Sequence, residues 1–281
     1  MITVVFALTS SVVVGVSDYL GGRAGERQHP ALVTAYAQAT YLLMVPLIAV
    51  IVGWEQVAAR DIWLGLACGV LVGASYILFF SALASGRMGI AAPTTAAISA
   101  SIPVAYDLLS GVQLSTGRWV GVAVALAAVP LLAYAPDDIG DKPGRASSKV
   151  VLLTAALAGL GFSGFFILLG ETSPESGQWP LAASSLSSTL AVVAFVALRR
   201  VPLARPVPGA IWSGATGAVA GALITAALQR GPVAVATVLG SMYPIVTVGL
   251  AARLAAERIR WWHAAGLGLA VCGAALVGFY A

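Results

Sequence analysis

The sequence predicts an all-α polytopic membrane protein whose ten transmembrane helices form two inverted repeats of five. Three observations support this fold class: the composition, the length of the apolar segments, and landmarks that recur between the two halves. The 281 residues are 59% hydrophobic and 9% charged, whereas a soluble domain has about 45–50% apolar and about 25% charged residues. So few charges cannot cover a surface that faces water, and so much apolar mass excludes a disordered chain.

Ten apolar segments account for nearly the whole chain. A helix needs about 20 apolar residues to cross the hydrocarbon core of a bilayer, and backbone polar groups inside that core must be paired within the protein. The segments lack two-residue alternation, so helices are expected rather than strands. They run over residues 2–22, 31–52, 62–84, 90–110, 118–135, 150–170, 180–198, 209–229, 232–253 and 261–280.

The chain divides near its midpoint at its most polar stretch between segments, residues 136–149, which is predicted to be a linker. It separates a first five-helix repeat, residues 1–135, from a second, residues 150–281. Landmarks recur in the same order in both repeats: Ile62-Trp63-x-Gly65 and Ile211-Trp212-x-Gly214, Ile102-Pro103 and Tyr243-Pro244, and Gly121 and Gly266. Because five is odd, the second repeat must enter the membrane from the opposite side. Many secondary transporters use such inverted repeats for alternating access.

Small residues at four-residue spacing are predicted to mark close contacts between helices of the same chain, because they let backbones approach in lipid. Examples are Gly69-x-x-x-Gly73, Gly117-x-x-x-Gly121 and Gly217-x-x-x-Gly221.

Two ionisable side chains, Asp18 and Asp107, lie inside predicted segments and away from their ends. A carboxylate in a membrane is costly and normally faces a cavity or a partner. Burial disfavours its charged form, so it can gain and lose a proton as a cavity opens to either side. The hypothesis is that Asp18 or Asp107 couples proton movement to substrate movement or binds a cationic substrate. The alternative is that each carboxylate lies near a helix end and bonds to a backbone group or to water.

Ligand sites are mostly apolar, with a few polar groups that fix orientation. Seven further side chains are candidates to line such a site: Ser17, Tyr19, Tyr76, Ser99, Tyr106, Ser163 and Tyr243. The serines have an alternative role in bonding to their own helix or across helices, and the tyrosines in core packing or at the membrane interface.

Two prolines are candidate kinks. Pro103 and Pro244 lie inside the fourth and ninth segments, where proline removes a backbone hydrogen bond. Each kink is either a static bend or a bending point that exposes carbonyl groups to a cavity.

The sequence offers little for other chemistries. Two histidines and two cysteines cannot supply a zinc or haem site, so no metal or cofactor is expected, and Cys68 and Cys272 are expected to be small core residues. No Walker sequence for ATP binding is present. The Lys and Arg residues are too scattered for a nucleic-acid groove.

Basic residues alternate between loops and predict the orientation. One set of alternate loops carries Lys or Arg at positions 23, 27, 87, 142, 145, 149, 199, 200, 205, 253, 258 and 260, and the other set only at 60, 118 and 230. Cytoplasmic loops hold the excess of Lys and Arg. Both termini are therefore expected to face outward from the plasma (inner) membrane.

The end of the second half carries a family resemblance. Residues 226–279 contain Gly231-Pro232, Tyr243-Pro244, Glu257-Arg258 and Gly266, and this pattern resembles ten-helix EamA-type transporters of the drug/metabolite transporter superfamily. The stretch GVSDYLGG at 15–22 resembles their first helix, whereas Gln113-Leu114 departs from the Glu-Arg expected after helix four. The resemblance implies a transporter of small organic molecules, often an exporter, with a central cavity between the halves.

Three functions remain in view. The first is a secondary transporter that exports a metabolite or drug-like compound by alternating access, with protons as one option for coupling. The second is a flippase of the same fold for lipids or polyprenyl carriers. The third is a membrane-embedded lipid-modifying enzyme. Such an enzyme would need clustered acids, histidines or a metal. Because the sequence contains no such cluster, the chain is not expected to be an enzyme. Lipid and a small molecule are the expected partners, and the oligomeric state stays open.

Overall fold

A computed structural model describes residues 1–85, 88–133, 147–254 and 261–280. Within these ranges every regular element is helical, so the all-α class is confirmed. The helices are α1 (Ile2–Gly25), α2 (Pro30–Val52), α3 (Ala59–Ala84), α4 (Met88–Leu109), α5 (Thr116–Ala133), α6 (Ser148–Gly170), α7 (Trp179–Leu198), α8 (Pro208–Leu228), α9 (Val233–Gly240), α10 (Tyr243–Leu254) and α11 (Trp261–Phe279), with a short 3₁₀ helix at Pro174–Ser176.

Seven helical stretches of the described ranges are long and apolar enough to cross a membrane. They are Ile2–Gly25, Pro30–Val52, Ala59–Ala84, Lys149–Gly170, Trp179–Leu198, Pro208–Leu228 and Val233–Leu254. Large apolar side chains also cover the outer surface: Trp63 of α3 is 71% exposed, and Trp212 of α8 is 63% exposed. A soluble monomer rarely exposes such contiguous apolar area, so this surface is suited to lipid.

The ninth predicted segment is interrupted next to Pro244, the candidate kink of the second repeat. α9 ends at Gly240 and α10 begins at Tyr243, so that Pro244 lies in the first turn of a new helix. Proline has no N–H, and it disfavours the helical conformation of the residue before it, which explains a break at this point. Pro103, in contrast, lies within the unbroken α4.

Helices of the two halves pack against each other throughout. α1 packs on α8, α3 on α6 and α7, and α2 on α7 and α8, while α5 and α11 pack chiefly on each other at one edge. Because α11 lies at this edge, Cys272 is exposed, and the expectation that it is a core residue was wrong. Cys68 is buried as expected.

The closest helix approaches occur at glycines. A Cβ atom on Gly65 would overlap the Pro180 carbonyl oxygen of α7, and one on Gly214 would overlap the Ala37 carbonyl oxygen of α2. The small-residue pairs also meet neighbours within the chain. Gly69 and Gly73 lie on Ser184 and Ser188 of α7, Gly217 and Gly221 lie on Tyr41 of α2, and Gly117 lies on Tyr280 beyond α11.

Some features of the sequence lie outside the described residues. These are residues 136–146 of the predicted linker, and the Glu257-Arg258 pair of the family pattern.

Candidate functional site

A narrow cavity with about 70 Å³ of free space lies between the halves. Helices α1 to α4 and α6 to α10 contribute to its wall. The lining residues are Ser10, Val14, Ser17, Asp18, Gln38, Tyr41, Val72, Tyr76, Phe79, Ser99, Phe162, Phe165, Phe166, Ser184, Ser185, Ser188, Gly217, Ala220, Gly221, Ile224, Gly240 and Tyr243.

The α1 wall of the cavity follows from helical periodicity. Ser10, Val14, Ser17 and Asp18 recur at spacings of three and four residues, which places them on one face of the helix. Two of these groups are engaged across the halves: the Ser10 hydroxyl donates to the Ala220 carbonyl at 2.9 Å, and the Ser17 hydroxyl donates to the Ser213 carbonyl at 2.8 Å. Both bonds hold α1 against α8.

Asp18 is the one charged residue among the described residues that line the cavity. Its side chain is only 2% exposed. No hydrogen bond or ion pair joins its carboxylate to any other residue of the described ranges. Burying a charge without a partner is strongly unfavourable, so this carboxylate requires either a proton or a positively charged partner in the cavity.

Two tyrosines face this carboxylate from opposite halves. Tyr76 of α3 and Tyr243 of α10 both lie within electrostatic range of Asp18. The Tyr243 hydroxyl donates to the Ala92 carbonyl at 3.2 Å, which holds its ring in place. In the part of the chain that the structure describes, the Tyr76 hydroxyl has no acceptor, so it is available to a ligand.

Aromatic rings make up much of the remaining wall and join the two halves. The ring centroids of Tyr76 and Phe162 are 4.9 Å apart at 79°. Phe79 contacts Phe162 at 5.8 Å and Tyr243 at 6.2 Å, in both cases edge to face. Rings in this arrangement present π faces and edges to the cavity, and a π face attracts organic cations.

A polar wall from α7 and α2 completes the cavity. Ser184, Ser185 and Ser188 line it from α7. The Ser188 hydroxyl is buried without a hydrogen-bond partner among the described residues. Gln38 is 5% exposed, and its side-chain amide has no partner among the described residues. These groups could fix the orientation of a polar ligand.

Five of the candidates from the sequence line this cavity: Asp18, Ser17, Tyr76, Ser99 and Tyr243. The other candidates, and Pro103 of α4, lie outside this lining. Tyr19 is buried in the core, and the Ser163 hydroxyl donates to the Gly159 carbonyl at 2.9 Å and to the Ile98 carbonyl at 3.1 Å, which ties α6 to α4.

Asp107 and Tyr106 lie at the end of α4. The Asp107 Oδ2 atom accepts a hydrogen bond of 2.6 Å from the Ala234 N–H in the first turn of α9. The Tyr106 hydroxyl donates to Glu171 Oε1 at 2.6 Å. Asp107 therefore lies near a helix end and bonds to a backbone group, as in the alternative stated for the two carboxylates.

Sequence reasoning did not select several lining residues. Gln38, Tyr41 and Phe79 stand in apolar segments whose rotation a sequence does not define. The serines of α7 carried a usable signal, because Ser184 and Ser188 are four residues apart and share a helix face. As for metals, no group of three or more His, Cys, Asp or Glu side chains is found within the described ranges.

Comparisons with known proteins agree with this architecture. Residues 145–279 match the family model described as the EamA-like transporter family. The fold is similar to a protein of known crystal structure, with a TM-score of 0.68 and 18% identity, over 97% of this chain and 99% of the other. At that identity the likeness concerns the fold alone. No curated protein matches the chain.

Proposed function

We propose that this chain is a secondary transporter of the EamA type that moves a small organic molecule by alternating access. The family match over residues 145–279 supports the transporter class. The cavity between the halves carries this proposal, because its one charged lining residue among those described, Asp18, has no hydrogen-bond or ion-pair partner among the described residues. The two halves would rock about this cavity and expose it to either face of the membrane in turn.

The packing supports ten spans in two inverted repeats. If α9 and α10 form one span, α1 to α5 correspond in order to α6, α7, α8, α9–α10 and α11. The pair α1–α8 then corresponds to the pair α6–α3, and the pair α2–α8 to the pair α7–α3. All four pairs are in contact. Gly65 and Gly214, which the sequence aligns, each approach a backbone carbonyl of the partner helix.

The charge in the cavity supports a cationic cargo that exchanges with protons. Since Asp18 is buried and has no partner among the described residues, it is stable either protonated or beside a cationic group of the cargo. A proton and a cation would then compete for one carboxylate, which couples their movements. Tyr76, Phe79 and Phe162 add π surfaces for an organic cation. No Lys, Arg or His belongs to the described lining, so a cargo anion would find no counter-charge there.

Exchange with protons implies a direction for the transport of the cargo. The alternation of basic loops supports an orientation with both termini outward and the predicted linker in the cytoplasm, in a plasma (inner) membrane. A proton gradient directed into the cell would then drive a cationic cargo outward, so the proposal is export.

Ligand binding to the purified protein is the first test. A ligand that binds only the folded state raises the apparent stability, by about 2.7 kcal/mol at 100 times Kd. The panel comprises aromatic amines, amino acids, sugars, nucleosides and a polyprenyl phosphate. We expect the aromatic amines to raise the melting temperature. A shift with the polyprenyl phosphate alone would favour the flippase instead.

Transport in proteoliposomes is the second test, with the amine that binds as cargo and a pH gradient as the drive. Asp18→Asn removes the exchangeable charge with little change in volume, and we expect pH-driven uptake to fall at least about tenfold, which corresponds to about 1.4 kcal/mol. Glu26→Gln, at an exposed position just after α1, makes the same charge change away from the cavity and should transport as the wild type. Unchanged pH-driven transport by Asp18→Asn would contradict the proposed coupling.

A further inference from the structure

We propose that a polar network at one end of the cavity is the gate that closes the transport path on that side. The network joins the start of α3, the end of α4, the loop 171–178 and the start of α9. If successive spans alternate in direction, these elements lie at the face of the membrane where α1 begins, which we call the terminal face. The inference rests on the proposed alternating access.

Asp61 is the centre of this gate. It lies in the first turn of α3 and is 1% exposed. Its Oδ2 atom accepts three hydrogen bonds from the loop of the second half: from the Ser173 N–H at 2.9 Å, the Ser173 hydroxyl at 2.8 Å and the Ser176 hydroxyl at 2.7 Å. Hydrogen bonds to a charged group are stronger than neutral ones, so this carboxylate holds the loop on α3.

Glu171 supplies a second link between the halves. Arg60 of α3 donates to the Glu171 carbonyl oxygen at 3.0 Å and to its carboxylate at 3.4 Å. Tyr106 of α4 donates to the other carboxylate oxygen at 2.6 Å. One residue at the end of α6 is therefore bound by two helices of the first half.

Two further contacts extend the network. Asp107 of α4 accepts from the Ala234 N–H of α9 at 2.6 Å. The backbone N–H groups of Glu55 and Gln56 both donate to the Glu175 carbonyl, at 2.9 and 3.1 Å. Each of these contacts again joins the first half to the second, as a gate between rocking halves requires.

The network lies directly beyond the cavity. Phe166 lines the cavity from α6, and Glu171 follows five residues later, about 7.5 Å along a helix at 1.5 Å per residue. The loop continues into α7, which returns to the cavity at Ser184. The loop therefore connects two walls of the cavity, and its separation from α3 would open a path to the terminal face.

The opposite face has a different character. There, in the part of the chain that the structure describes, the loops of the two halves meet through neutral side chains and backbone carbonyls. Gln28 donates to the Arg205 carbonyl at 3.0 Å, and Tyr36 donates to the Ala204 carbonyl. The Arg23–Glu26 ion pair at that face lies within one segment of the first half. The interhalf carboxylates described here thus belong to the terminal face.

Thiol labelling from each side of the membrane tests the gate. All variants are built in a background protein that carries Cys68→Ala, Cys272→Ala and Ser188→Cys. Its one remaining thiol, at position 188, lies in the cavity wall. A membrane-impermeant maleimide is added to one side of sealed vesicles at a time. In the background with the intact gate, we expect slow labelling from the terminal face.

Loosening the gate should change labelling from that side alone. The double variant Asp61→Asn, Glu171→Gln should label at least about tenfold faster from the terminal face, which corresponds to about 1.4 kcal/mol in the opening equilibrium. Tyr106→Phe removes one bond and keeps every charge, so it should give a smaller increase and tests the gate if the double variant does not fold. Glu26→Gln, at the opposite face, is the matched control and should label as the background does.

Equal labelling rates in the background, the double variant and Tyr106→Phe would overturn the proposed gate. It would also be overturned if Glu26→Gln increased the labelling rate as much as the double variant does. The assay needs neither cargo nor transport. If no panel compound is transported but labelling responds as expected, the gate stands and the proposed function fails.

Discussion

A single methyl group at Gly65 or at Gly214 should destabilise the protein. Each glycine lies at a close approach between two helices of different halves. A Cβ at Gly65 would meet the carbonyl oxygen, carbonyl carbon and Cα of Pro180, and a Cβ at Gly214 would meet the Ala37 carbonyl and the Cβ of Thr40. Most of these atoms belong to the backbone and cannot rotate away, so the helices must separate.

The expected size follows from two opposing effects. Overpacking of a tight core costs about 1–3 kcal/mol, and contact with backbone atoms places both sites at the upper end, about 3 kcal/mol. Alanine is favoured over glycine in a helix by about 1 kcal/mol. Gly65→Ala and Gly214→Ala should therefore each lower the free energy of unfolding by about 2 kcal/mol.

Gly249 supplies the matched control. It lies within α10, and a Cβ built there would have no neighbour within 4 Å among the described residues. Gly249→Ala should therefore stabilise the protein, by about 1 kcal/mol. The assay is unfolding of the purified protein in detergent, by heat or by denaturant, with the three variants compared under one condition. If Gly65→Ala stabilises the protein as much as Gly249→Ala does, α3 and α7 do not make the close contact at Gly65 on which the prediction depends.

Two further predictions concern the cavity wall and the orientation. Tyr243→Phe keeps the ring but removes the hydrogen bond to the Ala92 carbonyl, so unfolding should become easier by about 1 kcal/mol; a variant as stable as the wild type would show that this bond contributes nothing. A reporter fused at the C-terminus should behave as if outside the cytoplasm, with an active phosphatase fusion and a dark green-fluorescent fusion; bright fluorescence would contradict the outward termini.

The helix positions could be predicted because they depend on local properties. Apolar length and polar punctuation placed the segments within about three residues of the observed helix ends, apart from the break in the ninth. That break lies next to Pro244, whereas α4 continues through Pro103, so the sequence alone does not tell which proline interrupts a helix. The small error at the start of α3 had a consequence: Asp61, just before the predicted segment, lies inside the helix and is buried.

The different surroundings of Asp18 and Asp107 could not be predicted from the sequence. Both are acids in apolar segments, and the sequence treats them alike. In the folded chain Asp18 faces the cavity without a partner among the described residues, whereas Asp107 accepts a bond from the first turn of α9. The difference arises from a helix that is distant in the chain, so no local pattern could encode it.

The sequence by itself therefore determined the membrane class, the positions of the helices and the short set of polar groups worth testing, because hydrophobic length and charge are properties of contiguous residues. The tertiary structure alone decided which faces of the helices meet, which candidates share the cavity and which carboxylates join the halves. Those outcomes depend on helix rotation, and rotation is set by packing between residues far apart in the chain, as at Gly65 on Pro180 and Asp61 on Ser173.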